Sequence, residues 1–284
     1  MKPDQWKEGH RMKLLAVDMD GTCLDHRNRF SRENMEALRR AAQAGVTVVP
    51  ATGRTLSCLP HALQGQPFVR YVISSNGARV TDLVTGKTLF QALIPRRQAL
   101  AMTRHFCEGR LGVTAHVENE YYVQGRGLYL LGRLAYGTDV RACICVKDLD
   151  ALLEGQGPDA EELQIYFRGK EGRQATGAVL ETLGEGCLWA WSDRYVEIFS
   201  ERATKGEALK ALCDHLGISR RDAACIGDSD NDLTMFAACG TSAAMGNAKE
   251  NVKAAASFVT ATNRENGVAR VVDALLAVRP QEPA

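Results

Sequence analysis

The residues of this chain best suited to chemistry are acids in two clusters. Asp18 and Asp20 stand in Asp18-Met19-Asp20-Gly21-Thr22, directly after a short apolar run at residues 13–17. Side chains alternate along a strand, so two carboxylates two residues apart at its end reach one crevice. They would repel by about 4 kcal/mol at a separation near ~4 Å with an effective dielectric of about 20. A positive group between them removes the conflict, and a divalent metal does so most economically. A solvated acidic turn that caps the next helix is the alternative for a bare pair; the apolar run before it and Gly21-Thr22 after it favour the metal. The second cluster, Asp228-Ser229-Asp230-Asn231-Asp232, follows the strand-like run 223–226 and Gly227. Asp228 and Asp232 are four apart and share one face of a nascent helix. Acids also suit a helix N-terminus, but one cap needs one acid and this stretch holds three. Carboxylate oxygens with no His or Cys nearby favour Mg2+ over zinc.

Two further pieces suit a phosphoryl group. Ala51-Thr52-Gly53-Arg54 offers a hydroxyl, a glycine amide and a guanidinium, all good phosphate partners. A strand-to-helix turn capped by Thr52 accounts for the same residues equally well. Lys205, in Thr204-Lys205-Gly206-Glu207, opens a helix, where the positive end of the dipole disfavours a cation. Its position makes sense if the ammonium points at carboxylates and a phosphate; a solvated surface lysine is the alternative.

The elements that must position these residues alternate in type at both ends of the chain. Strands are expected at 13–17, 46–49 and 71–73, with a helix capped by Ser31 between the first two and stopped by Gly45. The C-terminal part repeats the rhythm: a helix at 205–216 stopped by Gly217, a strand at 223–226, a helix at 230–238, strands at 241–245 and 258–260, and a helix at 268–278. Such alternation implies an α/β, doubly wound parallel sheet with ligands at the carboxyl ends of its strands. The middle differs. Gly125, Gly127, Gly132, Gly137, Gly155 and Gly157 mark joints, with strands expected at 163–167 and 188–191 and helices at 96–108 and 171–183. This reads as a smaller α+β domain inserted into the first.

Composition narrows the function classes. The chain has 284 residues, 45% hydrophobic and 24% charged, with 35 Lys plus Arg against 34 Asp plus Glu and a net charge of +1. That balance argues against a general nucleic-acid binder and against disorder. No apolar run long enough for a membrane span occurs, and residues 1–10 carry no apolar signal core. Nine scattered cysteines without metal spacing suggest core thiols. A cytoplasmic protein with no nucleic-acid or membrane partner is expected; the sequence leaves its oligomeric state open.

In order and content these motifs resemble the haloacid dehalogenase superfamily of aspartate-nucleophile phosphatases, most closely its Cof-type members with a type IIB cap. Ser75-Asn76-Gly77-Ala78, Lys205-Gly206-Glu207-Ala208-Leu209, Ala244-Met245-Gly246-Asn247-Ala248 and Asn266-Gly267-Val268-Ala269 extend the likeness across residues 14–272. Cys23 replaces the usual leucine. The resemblance implies a Rossmann-like core at 1–82 and 194–284 and an inserted cap at 83–193. It implies that Asp18 is the nucleophile and that Asp20 protonates the leaving alcohol, then deprotonates water. Asp18, the Asp20 carbonyl and Asp228 would hold Mg2+, with Asp232 behind them. Met19 and Gly53 amides, Thr52, Lys205 and Asn231 would hold the phosphoryl oxygens, with Arg54 and Asn76 nearby. The expected substrate is a small phosphorylated molecule, such as a sugar phosphate, hydrolysed through an aspartyl-phosphate. Cap residues His116, Glu118, Tyr121, Tyr122, Arg126 and Arg168 are candidates for choosing it, though each serves equally as ordinary cap surface. A phosphotransferase or phosphomutase shares the same first step. A receiver-like phospho-acceptor also fits the acid, Thr and Lys, but not the length, the insert or the second acid.

Overall fold

The computed structural model describes residues 12–108, 112–136, 142–154 and 157–277. In chain order the elements begin with β1 (Leu14–Asp18), α1 (Arg32–Gln43), β2 (Thr47–Ala51), β3 (Tyr71–Ser74), β4 (Arg79–Asp82) and β5 (Lys87–Gln91). Then come α2 (Arg96–Glu108), β6 (Gly112–Val117), β7 (Glu120–Gln124), α3 (Arg126–Tyr136), β8 (Cys143–Val146) and α4 (Leu149–Leu153). They continue with β9 (Glu162–Tyr166), α5 (Gly169–Leu183), β10 (Cys187–Trp191), β11 (Tyr195–Ser200), α6 (Lys205–Leu216) and β12 (Ala223–Gly227). The last are α7 (Leu233–Ala238), β13 (Thr241–Ala244), α8 (Glu250–Ala255), β14 (Phe258–Val259) and α9 (Gly267–Ala277).

One sheet runs β14-β13-β12-β1-β2-β3-β4-β5. It is parallel from β14 to β3, as the alternation implies, and ends in an antiparallel step from β3 to β4. β1 is fully buried between β2 and β12, in register Leu14 with Ala223 and Val17 with Pro50. A strand buried on both faces reads as a continuous apolar run. β2 continues through Pro50, where the sequence suggested a stop. Pro has no N–H to donate, and pairing to β3 there is thin, with Ala51 opposite Ile73 and a bridge from Val48 to Val69.

Local capping defines the helices. Ser31 caps α1 by accepting from the Asn34 amide, Thr204 caps α6 by accepting from the Glu207 amide, and left-handed Gly217 ends α6. The helix expected at 230–238 is split: residues 230–232 form a 3-10 turn and α7 starts at Leu233. Val278 of the last expected helix lies outside the described residues.

The second sheet runs β10-β11-β9-β6-β7-β8 and is antiparallel except for β7 with β8. Its core includes Phe106, Val113, Leu149, Leu163, Leu180 and Ile198. Contacts divide the chain into two units: one takes residues up to Thr52, 62–90 and from Thr204 on, the other 53–61 and 91–203. β5 therefore goes with the first sheet, and β11, beyond the expected boundary at 193, is a strand of the second. Of the cysteines, Cys23, Cys187, Cys213 and Cys225 are buried and Cys145 is exposed, so fewer are core thiols than expected. Among the described residues no helix is long and apolar enough to cross a membrane.

The loop after β3 reaches the start of α6. Ser75, Asn76 and Gly77 all have positive φ, and a Cβ on Gly77 would collide with the backbone of Thr204 and Lys205. An L side chain is strained at φ of 98° even without that collision. Gly77→Ala is therefore expected to destabilise the protein by at least about 1 kcal/mol. Urea denaturation checks this, and wild-type stability of the variant would contradict it.

Candidate active site

The ends of β1 and β12 and the start of α6 meet around one buried lysine. The Lys205 side chain is fully buried, and its Nζ donates to Asp18 Oδ1 at 2.6 Å and to Asp232 Oδ1 at 2.7 Å. Burial works against its charge, but the two carboxylates outweigh that and hold the ammonium above its ordinary pKa. Asp18, Asp228 and Asp232 present carboxylate oxygens within 4.8 Å of one another. Three carboxylates against one ammonium leave two negative charges uncompensated. The strain shows in the acids: burial, with Asp232 and Asp228 close by, pushes Asp18 well above the carboxylate range. Burial and Asp232 raise Asp228 to about 6.

The oxygens differ in how they are occupied. Asp232 Oδ2 accepts from the amides of Asp228 at 2.9 Å and Ser229 at 3.1 Å, which with Lys205 uses both its oxygens. Asp228 Oδ1 accepts from the Thr22 hydroxyl at 3.1 Å. Asp18 Oδ2, in contrast, is buried with no hydrogen-bond partner. A buried carboxylate oxygen without a donor is costly, and here it faces two more acids. The residues therefore fit a divalent cation: its charge equals the excess, and carboxylate oxygens are its ordinary ligands.

The other expected site residues lie as follows. Asp20 is exposed in the turn after β1, and its carboxylate is not in the acid cluster. Met19 is buried, with its carbonyl accepting from the Leu24 amide. Thr52 is buried at the end of β2; its amide donates to Ile73 O and its carbonyl accepts from the Asn76 amide. Asn76 in turn accepts from Asn231 Nδ2 at 2.9 Å, so those two form one amide pair beside α6. Gly53 and Arg54 open the segment 53–61 that groups with the second unit. Asp230, the third acid of its cluster, points to the surface, where it accepts from Lys249 and Asn251.

In the second unit, His116 is buried against Tyr121, with ring centres 4.8 Å apart, and burial pulls its pKa down to about 3. Tyr121 donates to Gln164 Oε1 at 2.9 Å, and Gln164 donates to the buried Glu162 at 2.8 Å. His116 and Glu162 are buried, and Tyr121 and Gln164 are partly buried beside them. Tyr122 is half-buried, whereas Glu118, Arg126 and Arg168 are exposed. Sequence reasoning gave no role to Thr22, Asn247 or Asn263. Thr22 stood inside the first acidic motif, and Asn247 inside the segment 244–248.

Removing the lysine leaves two buried carboxylates without their counter-charge, and breaking a buried ion pair costs about 3–5 kcal/mol. Lys205→Met is expected to lose stability on that scale in urea denaturation with chelator present. A variant as stable as the wild type would contradict the ion-pair reading.

Comparison with known proteins adds to this geometry. The sequence pattern of the haloacid dehalogenase-like hydrolases matches residues 15–272. The chain is 30% identical to phosphatase YwpJ of Bacillus subtilis (strain 168), covering 93% of this chain and all of that one. It is 28% identical to 5-amino-6-(5-phospho-D-ribitylamino)uracil phosphatase YcsE of the same organism, over 94% of this chain and 96% of that one. A solved haloacid dehalogenase-like hydrolase from B. subtilis superposes with a TM-score of 0.80 at 29% identity, covering 92% of this chain and 99% of that one. With its acids, lysine and strand ends arranged as described, the chain belongs to the haloacid dehalogenase-like hydrolases and is a phosphoric monoester hydrolase.

Proposed function

We propose that this hydrolase cleaves small phosphorylated metabolites through an aspartyl-phosphate on Asp18, with Mg2+ in the acid cluster. The observation that carries the reading is Asp18 itself: a buried carboxylate at a strand end, one oxygen on Lys205 and the other without a partner. A carboxylate held by one oxygen keeps the second available for bond formation.

Residue roles follow from chemistry. An Asp18 oxygen bonds to phosphorus as the ester oxygen leaves, which splits a hard hydrolysis into two easier transfers. Asp20, exposed in the adjoining turn, gives its proton to the departing oxygen. It then takes a proton from the water that attacks phosphorus, releasing phosphate and restoring Asp18. Lys205 stays charged among its acids, a fixed positive group next to the reacting oxygen. Fixed charge dominates the stabilisation of a loose phosphoryl transition state. Thr52, the Gly53 and Met19 amides and Asn231 supply donors for the phosphoryl oxygens. The Asn76 side-chain oxygen Oδ1, which accepts from Asn231 Nδ2, orients that amide, and Arg54 follows Thr52 and Gly53 in the chain. Asp18, the Asp20 carbonyl and Asp228 would hold Mg2+, which supplies positive charge against the phosphoryl oxygens. Asp232, with both oxygens occupied by Lys205 and two amides, supports from behind. The second unit takes the cap role, and the first unit that of the catalytic core.

The substrate class rests on the relatives: one is a phosphatase of a phosphorylated ribitylaminouracil, a small metabolite. A screen of phosphorylated metabolites with Mg2+ identifies this chain's own substrate. Asp18→Asn is expected to lower turnover of p-nitrophenyl phosphate by at least about a thousandfold while the protein stays folded by circular dichroism. Wild-type-like hydrolysis would remove Asp18 as nucleophile. Exhaustive chelation is expected to abolish turnover and added Mg2+ to restore it; full activity after chelation would exclude the metal.

A further inference from the structure

We propose that Asn247 is a positioning residue for the metal-binding carboxylate of Asp228, an inference that rests on the Mg2+ reading above. Asn247 lies after β13, and its side-chain amide touches three loops. Its Nδ2 donates to Gly21 O at 2.9 Å and to Asp228 Oδ2 at 3.3 Å. Its Oδ1 accepts from the backbone amide of Asn263 at 2.9 Å. Asn263 itself donates to Leu24 O at 2.9 Å. One amide thus ties the turn after β1, the end of β12 and the loop after β14.

The geometry gives this tie a specific object. Asp228 has two oxygens, each held by a neutral donor: Thr22 on Oδ1 and Asn247 on Oδ2. Neutral donors orient a carboxylate without cancelling the charge that a cation requires, and such outer partners tune ligand orientation and metal affinity. Space is fixed as tightly as direction. Gly21 has φ of 85°, and a Cβ there would overlap the Asp228 carboxylate. The Gly21 carbonyl and the Asp228 carboxylate are both acceptors, and they stay adjacent because the Asn247 amide supplies both with hydrogens. The Asn247 side chain is itself exposed, so its truncation opens no void in the core.

The test is Mg2+ binding by calorimetry to wild type, Asn247→Ala and Thr22→Val, with the melting temperature of each metal-free protein recorded alongside. Asn247→Ala is expected to weaken Mg2+ binding by about tenfold while its metal-free melting temperature stays within about 2 °C of wild type. Saturating Mg2+ is expected to restore most of kcat with little change in KM. Thr22→Val, which removes the donor to the other oxygen, is expected to weaken binding in the same direction. Wild-type affinity in Asn247→Ala overturns the proposal. So does a loss of affinity that merely follows a drop in melting temperature, which marks a structural tether. If Asn247→Ala fails to fold, wild-type affinity in Thr22→Val overturns it. A wild-type protein that binds no Mg2+ overturns the metal reading and this assignment together, and is distinguished from the other outcomes by the wild-type titration alone.

Discussion

Burying an ammonium without matching charge is prohibitive, and Lys205 is fully buried. Its matches come from the carboxyl ends of two different strands, β1 through Asp18 and the turn after β12 through Asp232. The lysine therefore fixes more than itself. α6 must start where its first residue reaches both acids, which brings Thr204 against Gly77 and Gly206 against Thr234. β1 and β12 must be neighbours, as they are, with Val17 opposite Ile226. Because three acids outnumber the one cation, the arrangement is stable only in part. A site that keeps excess negative charge in the protein alone is suited to a cation.

The parts of the fold most legible in the sequence are those where local signals and burial agree. Ser31, Thr204 and Gly217 mark helix ends by cap chemistry, and the apolar runs of β1 and β12 mark strands buried on both faces. Local signals fail where pairing, not propensity, decides. β5 is half-exposed and becomes a strand by adding to β4. β6 has polar Thr114 and His116 buried among apolar neighbours, which blurs alternation. In β11, Val196 and Ile198 alternate inward, the period-two signal of a half-buried strand.

The site divides along similar lines. Asp18, Asp228, Asp232 and Lys205 could be read because their residue types are unusual at strand ends and helix starts, and the fold brings those four together. The geometry also gives Asn76 a concrete neighbour in Asn231. Thr22 and Asn247 were illegible for a physical reason. Neutral donors are common everywhere in a sequence, and only their aim at Asp228, fixed across 206 and 19 residues of chain, distinguishes them. Among the expected selectors, His116 is buried and Tyr121 partly buried, whereas Glu118, Arg126 and Arg168 are exposed.

The partnership of β1 with β12 joins residues 14 and 223. A ribosome delivers β1 long before its neighbour, so one edge of the strand waits open while the whole second unit is made. Open apolar edges recruit other chains, and closing so long a gap costs only logarithmically in length. An intervening segment with its own sheet and core collapses into a compact body and shortens the gap that remains. The insert has its own sheet and core, and the turn after β12, made after the insert, completes the acid cluster. The three acids therefore cannot come together until the segment after β12 has been made.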